Sequence, residues 1–195
     1  ELIKGMSKGD GTFRTYAEMM AENLPVFYSG AWTAPASECD VNTGQGNPFA
    51  VYMYGAFLSQ VEVNITTGKT EVVKLTMVAD VGKIANKLVV DGQLYGGLVQ
   101  GLGLALSEDF EDIKKHIDLI SCGLPFIKDV PDNIELHYVE TYRPHGPFGA
   151  AGSGELPLTS PHASIINAIY NACGARITHL PARPEKVLAV LNAKQ

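Results

Sequence analysis

At 195 residues, with 46% hydrophobic and 18% charged side chains, the chain has enough apolar material for a real core, as one domain or two small ones. Its formal net charge of −6 without any basic block argues against a nucleic-acid partner, and its longest apolar run, 94–106, is too short to span a bilayer. Cys39, Cys122 and Cys173 are far apart and form no C-x-x-C pair, so neither a disulfide framework nor an iron–sulfur site follows; three buried thiols in a reducing cytoplasm are expected. His116, His137, His145, His162 and His179 show no metal-ligand spacing and most are expected at the surface or as caps, so any metal here is expected to arrive on a cofactor.

In chain order, Asp10-Gly11-Thr12 precedes a helical pattern that puts Phe13, Tyr16, Ala17, Met20 and Leu24 on one face, ended by Pro25. Residues 26–33 read as a strand and 35–48 as a long loop, mobile or occupied by something. Val61, Val63 and Ile65 alternate with Glu62 and Asn64, and Thr67-Gly68 turns the chain into 71–78. There Val73, Leu75 and Met77 alternate with Lys74 and Thr76, which predicts a hairpin with one solvated face.

Leu94, Leu98, Leu102 and Ala105 have helical spacing, yet the same stretch holds Gly96, Gly97, Gly101 and Gly103. Each glycine inside a helix costs roughly 1 kcal/mol against alanine, so something must approach this helix closely. Tight packing on a neighbouring element and a bulky cofactor against its amino-terminal end are both open. Residues 108–118 carry mixed charge and predict a solvated face, and 134–142 alternate as a final strand. Residues 181–186 then start a short terminal helix through Val187, Leu188 and Leu191.

That last strand delivers the chain to 146–162, an irregular run with Gly146, Gly149, Gly152 and Gly154 that carries one carboxylate, Glu155. Ser160-Pro161 predicts an N-cap and first helical residue, with Ala163, Ile166, Ile169 and Tyr170 at helical spacing and Gly174 as the stop. Backbone N–H groups in such a run can bind an anion or a polarised oxygen, although glycine-rich, proline-flanked segments also serve as plain connections. A serine-hydrolase elbow is excluded, because Ser153 has Ala151 and Glu155 where glycines are needed. A dinucleotide fingerprint fails at Pro157, where its third glycine belongs.

The run Gly152-Ser153-Gly154-Glu155-Leu156-Pro157-Leu158, with Asn167-Ala168-Ile169 behind it and 174–181 closing it, resembles the C-terminal segment of the molybdenum hydroxylases. These form the xanthine oxidase and aldehyde oxidoreductase family, and the bacterial aldehyde oxidoreductases are the most similar group. Asp80-x-Gly82, Gly92-Gln93-x-x-Gly96-Gly97 and Gln100-Gly101-x-Gly103 resemble a second family pattern. Tyr52-x-Tyr54-Gly55-Ala56 and Val61-Glu62-Val63-Asn64-x-x-Thr67-Gly68 carry the likeness through the hairpin. It departs at Ala85-Asn86-Lys87, where the family commonly has Asn-Pro.

The resemblance implies an α+β fold, a mixed or antiparallel sheet with packing helices, in which 1–195 form the C-terminal portion of a larger molybdopterin-binding domain. It implies oxidative hydroxylation of an aldehyde to a carboxylic acid, with oxygen from water and two electrons passed to molybdenum. Glu155 is then the catalytic base, expected to be partly desolvated by Phe148, Leu156 and Pro157. Gln93, placed at the helix start, together with Gly92, Gly96, Gly97, Gly152, Ser153 and Gly154, is the cofactor-binding set. Molybdopterin cytosine dinucleotide with molybdenum is the implied cofactor, with [2Fe-2S] clusters on a missing part. The implied partners are the remaining segments of the enzyme, an electron acceptor protein and a second copy in a cytoplasmic homodimer. A non-catalytic scaffold that keeps the fold, or a related enzyme acting on N-heterocycles, is the alternative.

Overall fold

In the computed structural model, residues 5–7, 13–25, 29, 31, 33 and 35–193 are described. The chain divides into two compact units, 1–35 and 36–195. In the first, β1 (Gly5–Ser7) pairs antiparallel with β2 (Phe13–Thr15), followed directly by helix α1 (Tyr16–Ala21). The expected helix is therefore shorter and starts later. Thr15 sets the boundary: its hydroxyl accepts from the Glu18 amide while the Glu18 carboxylate accepts from the Thr15 amide at 2.8 Å, a reciprocal cap. Phe13 falls in the strand, and Met19 is the buried helix residue, with Tyr16 and Met20 exposed. Most of the strand expected at 26–33 lies outside the described residues.

The second unit is built on a three-stranded mixed sheet, β3 (Tyr54–Val63), β4 (Thr70–Asp80) and β5 (Asn133–Tyr138), with β4 in the centre. The β3–β4 hairpin forms as its alternation predicts. The Asn64 carboxamide accepts from the Thr66 and Thr67 amides at 3.0 Å, and Gly68 takes the left-handed φ of 75° that closes the turn. One detail differs. Gln60 opposes Lys74 while Val61 opposes Val72, so Val73 is an unpaired bulge residue and the side-chain phase slips by one. Val72, Leu75, Met77 and Ala79 consequently face the core, and Val73 does not. β5 pairs parallel to β4, which makes the sheet mixed.

Helix α2 (Lys87–Leu106) buries Leu94, Leu98, Leu102 and Ala105 against this sheet, as their spacing predicts. α3 (Pro161–Cys173) adds Ile165, Ile166 and Ile169, and α4 (Pro184–Asn192) adds Val187. Burying one such side chain is worth about 1.5–3 kcal/mol, so this layer of helix on sheet carries most of the stability. α3 starts and stops where expected, with Gly174 at φ 75°, but Ser160 makes no side-chain cap bond. Its buried face runs through Pro161, Ile165 and Ile169, leaving Ala163 and Tyr170 exposed.

The mixed-charge stretch is mostly exposed, as expected, but its start is not. Glu108 is half-buried, which raises its pKa above the ordinary carboxylate value, and Asp109 lies 3.4 Å from Arg183 and 3.6 Å from His116. The thiols also differ from expectation: Cys122 is buried, Cys173 half-buried and Cys39 exposed. His137, His145 and His179 are exposed as expected and His116 is half-buried with its Nδ1 accepting from the Asp112 amide, while His162 is half-buried. Among the described residues no helix is long and apolar enough to cross a membrane.

Candidate active site

Asn86, the point of departure from the family pattern, is the N-cap of α2: its carboxamide accepts from the Val89 amide at 3.2 Å. The helix therefore begins at Lys87, and Gln93 lies nearly two turns inside it rather than at its start. The Asp91 carboxylate holds this end to the sheet, accepting from Lys87 Nζ at 2.7 Å and from the Tyr138 hydroxyl. Those two donors keep Asp91 below the usual carboxylate range, and burial together with Asp91 raises the Tyr138 phenol above its ordinary value.

From Gln93 on, one stripe of α2 matches the glycine-rich run step for step. Gln93 Oε1 lies 3.9 Å from where a Cβ on Gly154 would be. A Cβ on Gly97 would sit 2.3 Å from Pro157 Cγ, and one on Gly101 would sit 2.0 Å from Pro161 Cγ. Gly97 and Gly101 are thus notches that seat two proline rings, and 154–161 runs alongside 93–101. Across the layer, Leu156 reaches β3, where a Cβ on Gly55 would lie 3.1 Å from Leu156 Cδ1. Leu156 and Pro157 are buried, and the preceding Glu155 is exposed.

The other end of the run is fastened to β4. Gly82 and Ala150 form a bridge, the Ala151 amide donates to Val81 O at 2.7 Å and the Lys83 amide to Gly149 O at 2.9 Å. Below them the Asp80 carboxylate accepts from the Thr141 and Gly82 amides and pairs with Arg143 at 2.9 Å. Burial works to raise the Asp80 pKa, but the bonds from Thr141 and Gly82 and the Arg143 charge outweigh it and hold the group low. Asp80, Thr141, Arg143, Pro157 and Pro161 were not among the expected site residues. One signal for the prolines was in the sequence: Pro157 and Pro161 are four apart, as are Gly97 and Gly101.

Gln93, Gly154 and Glu155 are brought together on the exposed surface, beside an open patch. Gly92 and Gly96 have nothing within 4 Å of a would-be Cβ, while Gly152 has only Met53 Cε, at 3.8 Å. Ser153 is half-buried in the same run. Gly97 is the exception in the expected set, because Pro157 already fills the space above it. Phe148, expected to shield Glu155, is 96% exposed, and Leu156 and Pro157 face the core, so this unit builds no apolar wall around the carboxylate. The open glycine patch, one amide and one free carboxylate fit a large cofactor laid against α2. Among the described residues no three His, Cys, Asp or Glu side chains gather as a metal site.

Residues 3–131 match the family model of the molybdopterin cofactor-binding domain, a span that holds α2 but stops before Glu155. The aldehyde oxidoreductase of Megalodesulfovibrio gigas is 56% identical over 193 residues, covering 98% of this chain and 21% of that protein. The crystal structure of the aldehyde oxidoreductase from Desulfovibrio desulfuricans superposes with a TM-score of 0.84 at 64% identity, covering 97% of this chain and 21% of that one. A probable hypoxanthine oxidase of Escherichia coli is 32% identical over 149 residues, covering 74% of this chain and 16% of that protein. The chain thus spans about a fifth of the aldehyde oxidoreductases it matches.

Proposed function

Since the chain belongs to the molybdopterin cofactor-binding domain family of molybdenum hydroxylases, we propose that it works as the C-terminal portion of a longer enzyme that oxidises aldehydes to carboxylic acids. The observation that carries this reading is the register of α2 against 154–161, which sets the Gln93 amide next to the Glu155-bearing run at the edge of the open glycine patch. When bound, the molybdenum–pterin group accepts the two electrons of the oxidation and acidifies the oxygen nucleophile derived from water.

Proton abstraction and part of the cofactor binding fall to groups of this unit. Glu155 would take the proton from that oxygen as it bonds to the carbonyl carbon, whose C–H bond would give up its electron pair to the bound group, and a carboxylate of modest basicity is sufficient against an acid already strengthened. Gln93 and the amides of Gly152, Ser153 and Gly154 hold the cofactor by hydrogen bonds, while Gly92 and Gly96 allow it to lie against the helix. The prolines in their notches keep Glu155 from swinging away, which is positioning rather than chemistry.

The likeness to bacterial aldehyde oxidoreductases supports the finer assignments. These are the cytosine dinucleotide form of molybdopterin, [2Fe-2S] clusters on other segments, a separate electron acceptor protein, and a cytoplasmic homodimer. Glu155→Gln in the full enzyme tests the central assignment. Shape and hydrogen-bonding capacity survive while the base is lost, so molybdenum content should hold and reduction by saturating aldehyde, followed by rapid mixing, should slow by about 10²–10⁴. Near-normal reduction with full cofactor would make Glu155 structural.

A further inference from the structure

The turn just upstream of Glu155 holds a residue in a conformation that its type disfavours. Phe148 has φ 52° and ψ 27°, the left-handed region where a bulky side chain is an outlier, and its ring is 96% exposed. Water alone gives no reason to hold an aromatic ring out in a strained backbone. The turn is nonetheless well fixed. The Gly149 amide donates to Gly146 O at 3.1 Å, Ala150 to Pro147 O at 3.0 Å, and Arg143 and Lys83 both donate to Gly149 O. Gly149 is itself at φ 82° with the Tyr142 ring lying over it, where a Cβ would fall 2.3 Å from Tyr142 Cδ2. Phe148 is therefore presented rather than loosely tethered.

Its surroundings share that character. Tyr142 and Tyr54 are both exposed, the Arg143 guanidinium sits 5.2 Å from the centroid of the Tyr54 ring, and Phe49 meets Tyr52 edge-on at 5.9 Å. A shallow cavity of about 180 Å³ separates 50–54 from 143–145. Exposed aromatic rings beside an arginine are the composition of the energetic centre of a protein interface.

We infer that this aromatic face is buried in the assembled enzyme against another segment of the same polypeptide, with Phe148 seated in an apolar socket there. The inference rests on the reading that these residues work inside a longer enzyme, but not on the role of Glu155. The aldehyde oxidoreductase that the chain matches over 98% of its own length is long enough to supply that segment, since the match spans only 21% of it. A transient electron acceptor fits less well, because passing contacts are more polar than permanent ones, which resemble a core cut in half. Docked in this way, the face would also brace the clamp beneath the Glu155 run.

Two measurements on the full-length enzyme decide it. With p-benzoylphenylalanine in place of Phe148, irradiation should join this position to a peptide of the same chain outside these 195 residues. A link between two copies, a link only to an added acceptor protein, or no link at all would overturn the proposal. Phe148→Gly gives an independent reading, because glycine accepts φ 52° without strain. A ring lying in water would make this variant more stable, whereas loss of a seated ring lowers its melting temperature; a rise would also overturn the proposal. Glu155→Gln leaves the link and the melting temperature in place, so failure of the base assignment and failure of this interface are separately visible.

Discussion

On one side of α2, Gly97 and Gly101 lie under proline rings, while Gly92 and Gly96, toward the amino terminus, have no atom within 4 Å of where a Cβ would sit. Both pairs are spaced by four residues on the same helix and carry the same penalty against alanine, roughly 1 kcal/mol per position. In the first pair the chain itself supplies the compensation, by seating Pro157 and Pro161. In the second it supplies none. A helix glycine with a filled notch is explained by folding, and one with an empty notch is not. Packing, one of the two explanations open for this helix, therefore accounts for Gly97 and Gly101, and the proposed cofactor approach concerns Gly92 and Gly96.

The comparison is broken most directly at the filled pair. Gly101→Ala and Gly97→Ala force a methyl group to within 2.0 Å and 2.3 Å of a rigid ring. Such overpacking costs about 1–3 kcal/mol, of which better helix propensity returns at most about 1. Both variants should melt lower in thermal unfolding, and Gly97→Ala should also lose activity by displacing the segment that mounts Glu155. Unchanged melting temperatures would mean that the prolines yield freely and the notches are incidental.

The empty pair should respond with the opposite sign. In cofactor-free enzyme, Gly96→Ala and Gly92→Ala meet no neighbour and should stabilise by up to about 1 kcal/mol each. In enzyme matured with cofactor, molybdenum content should fall. Full occupancy in Gly96→Ala would place the cofactor elsewhere. Gln93→Ala sharpens the same point, since loss of one hydrogen bond is worth about 0.5–1.5 kcal/mol. It should lower molybdenum content more than Gln100→Ala, which removes an equally exposed amide on the same face two turns further along. Equal behaviour of the two would remove Gln93 from the site.

The smallest effect is expected at the clamp and appears only with pH. Asp80 is held below its ordinary pKa in the folded state. Its contribution is thus fully present above the unfolded value of about 3.9 and is lost as pH falls through the folded value. Asp80→Asn should lower the melting temperature at neutral pH, and the gap from the unmodified enzyme should close toward strongly acidic pH. A constant gap would mean that Asp80 acts through shape rather than charge.

How far these features could be read in advance depended on whether their cause is local. The hairpin was legible because Asn64, Thr67 and Gly68 make their own turn and the flanking valines alternate. The α2 core stripe was legible from Leu94, Leu98 and Leu102. Its start was not, because Leu88, Val89 and Val90 give no amphipathic pattern and only the Asn86 cap marks the boundary. The bulge at Val73 and the parallel pairing of β5 arise between strands, and no single segment encodes them. Glu155 and Gln93 stood out through resemblance, whereas the Asp80–Arg143 clamp joins residues 63 positions apart and carries no motif.

The proline and glycine steps along α2 bear also on what chain length this segment can tolerate. Surface connections usually accept inserted or deleted residues. Here Gly154, Pro157 and Pro161 must meet Gln93, Gly97 and Gly101 in order, so the interval between Glu155, the proposed base, and α3 is a measured one. One residue more or fewer between 157 and 161 would put one ring out of step with its notch. Among related enzymes, variation in length should accumulate in stretches such as 108–131 and be absent from this irregular segment.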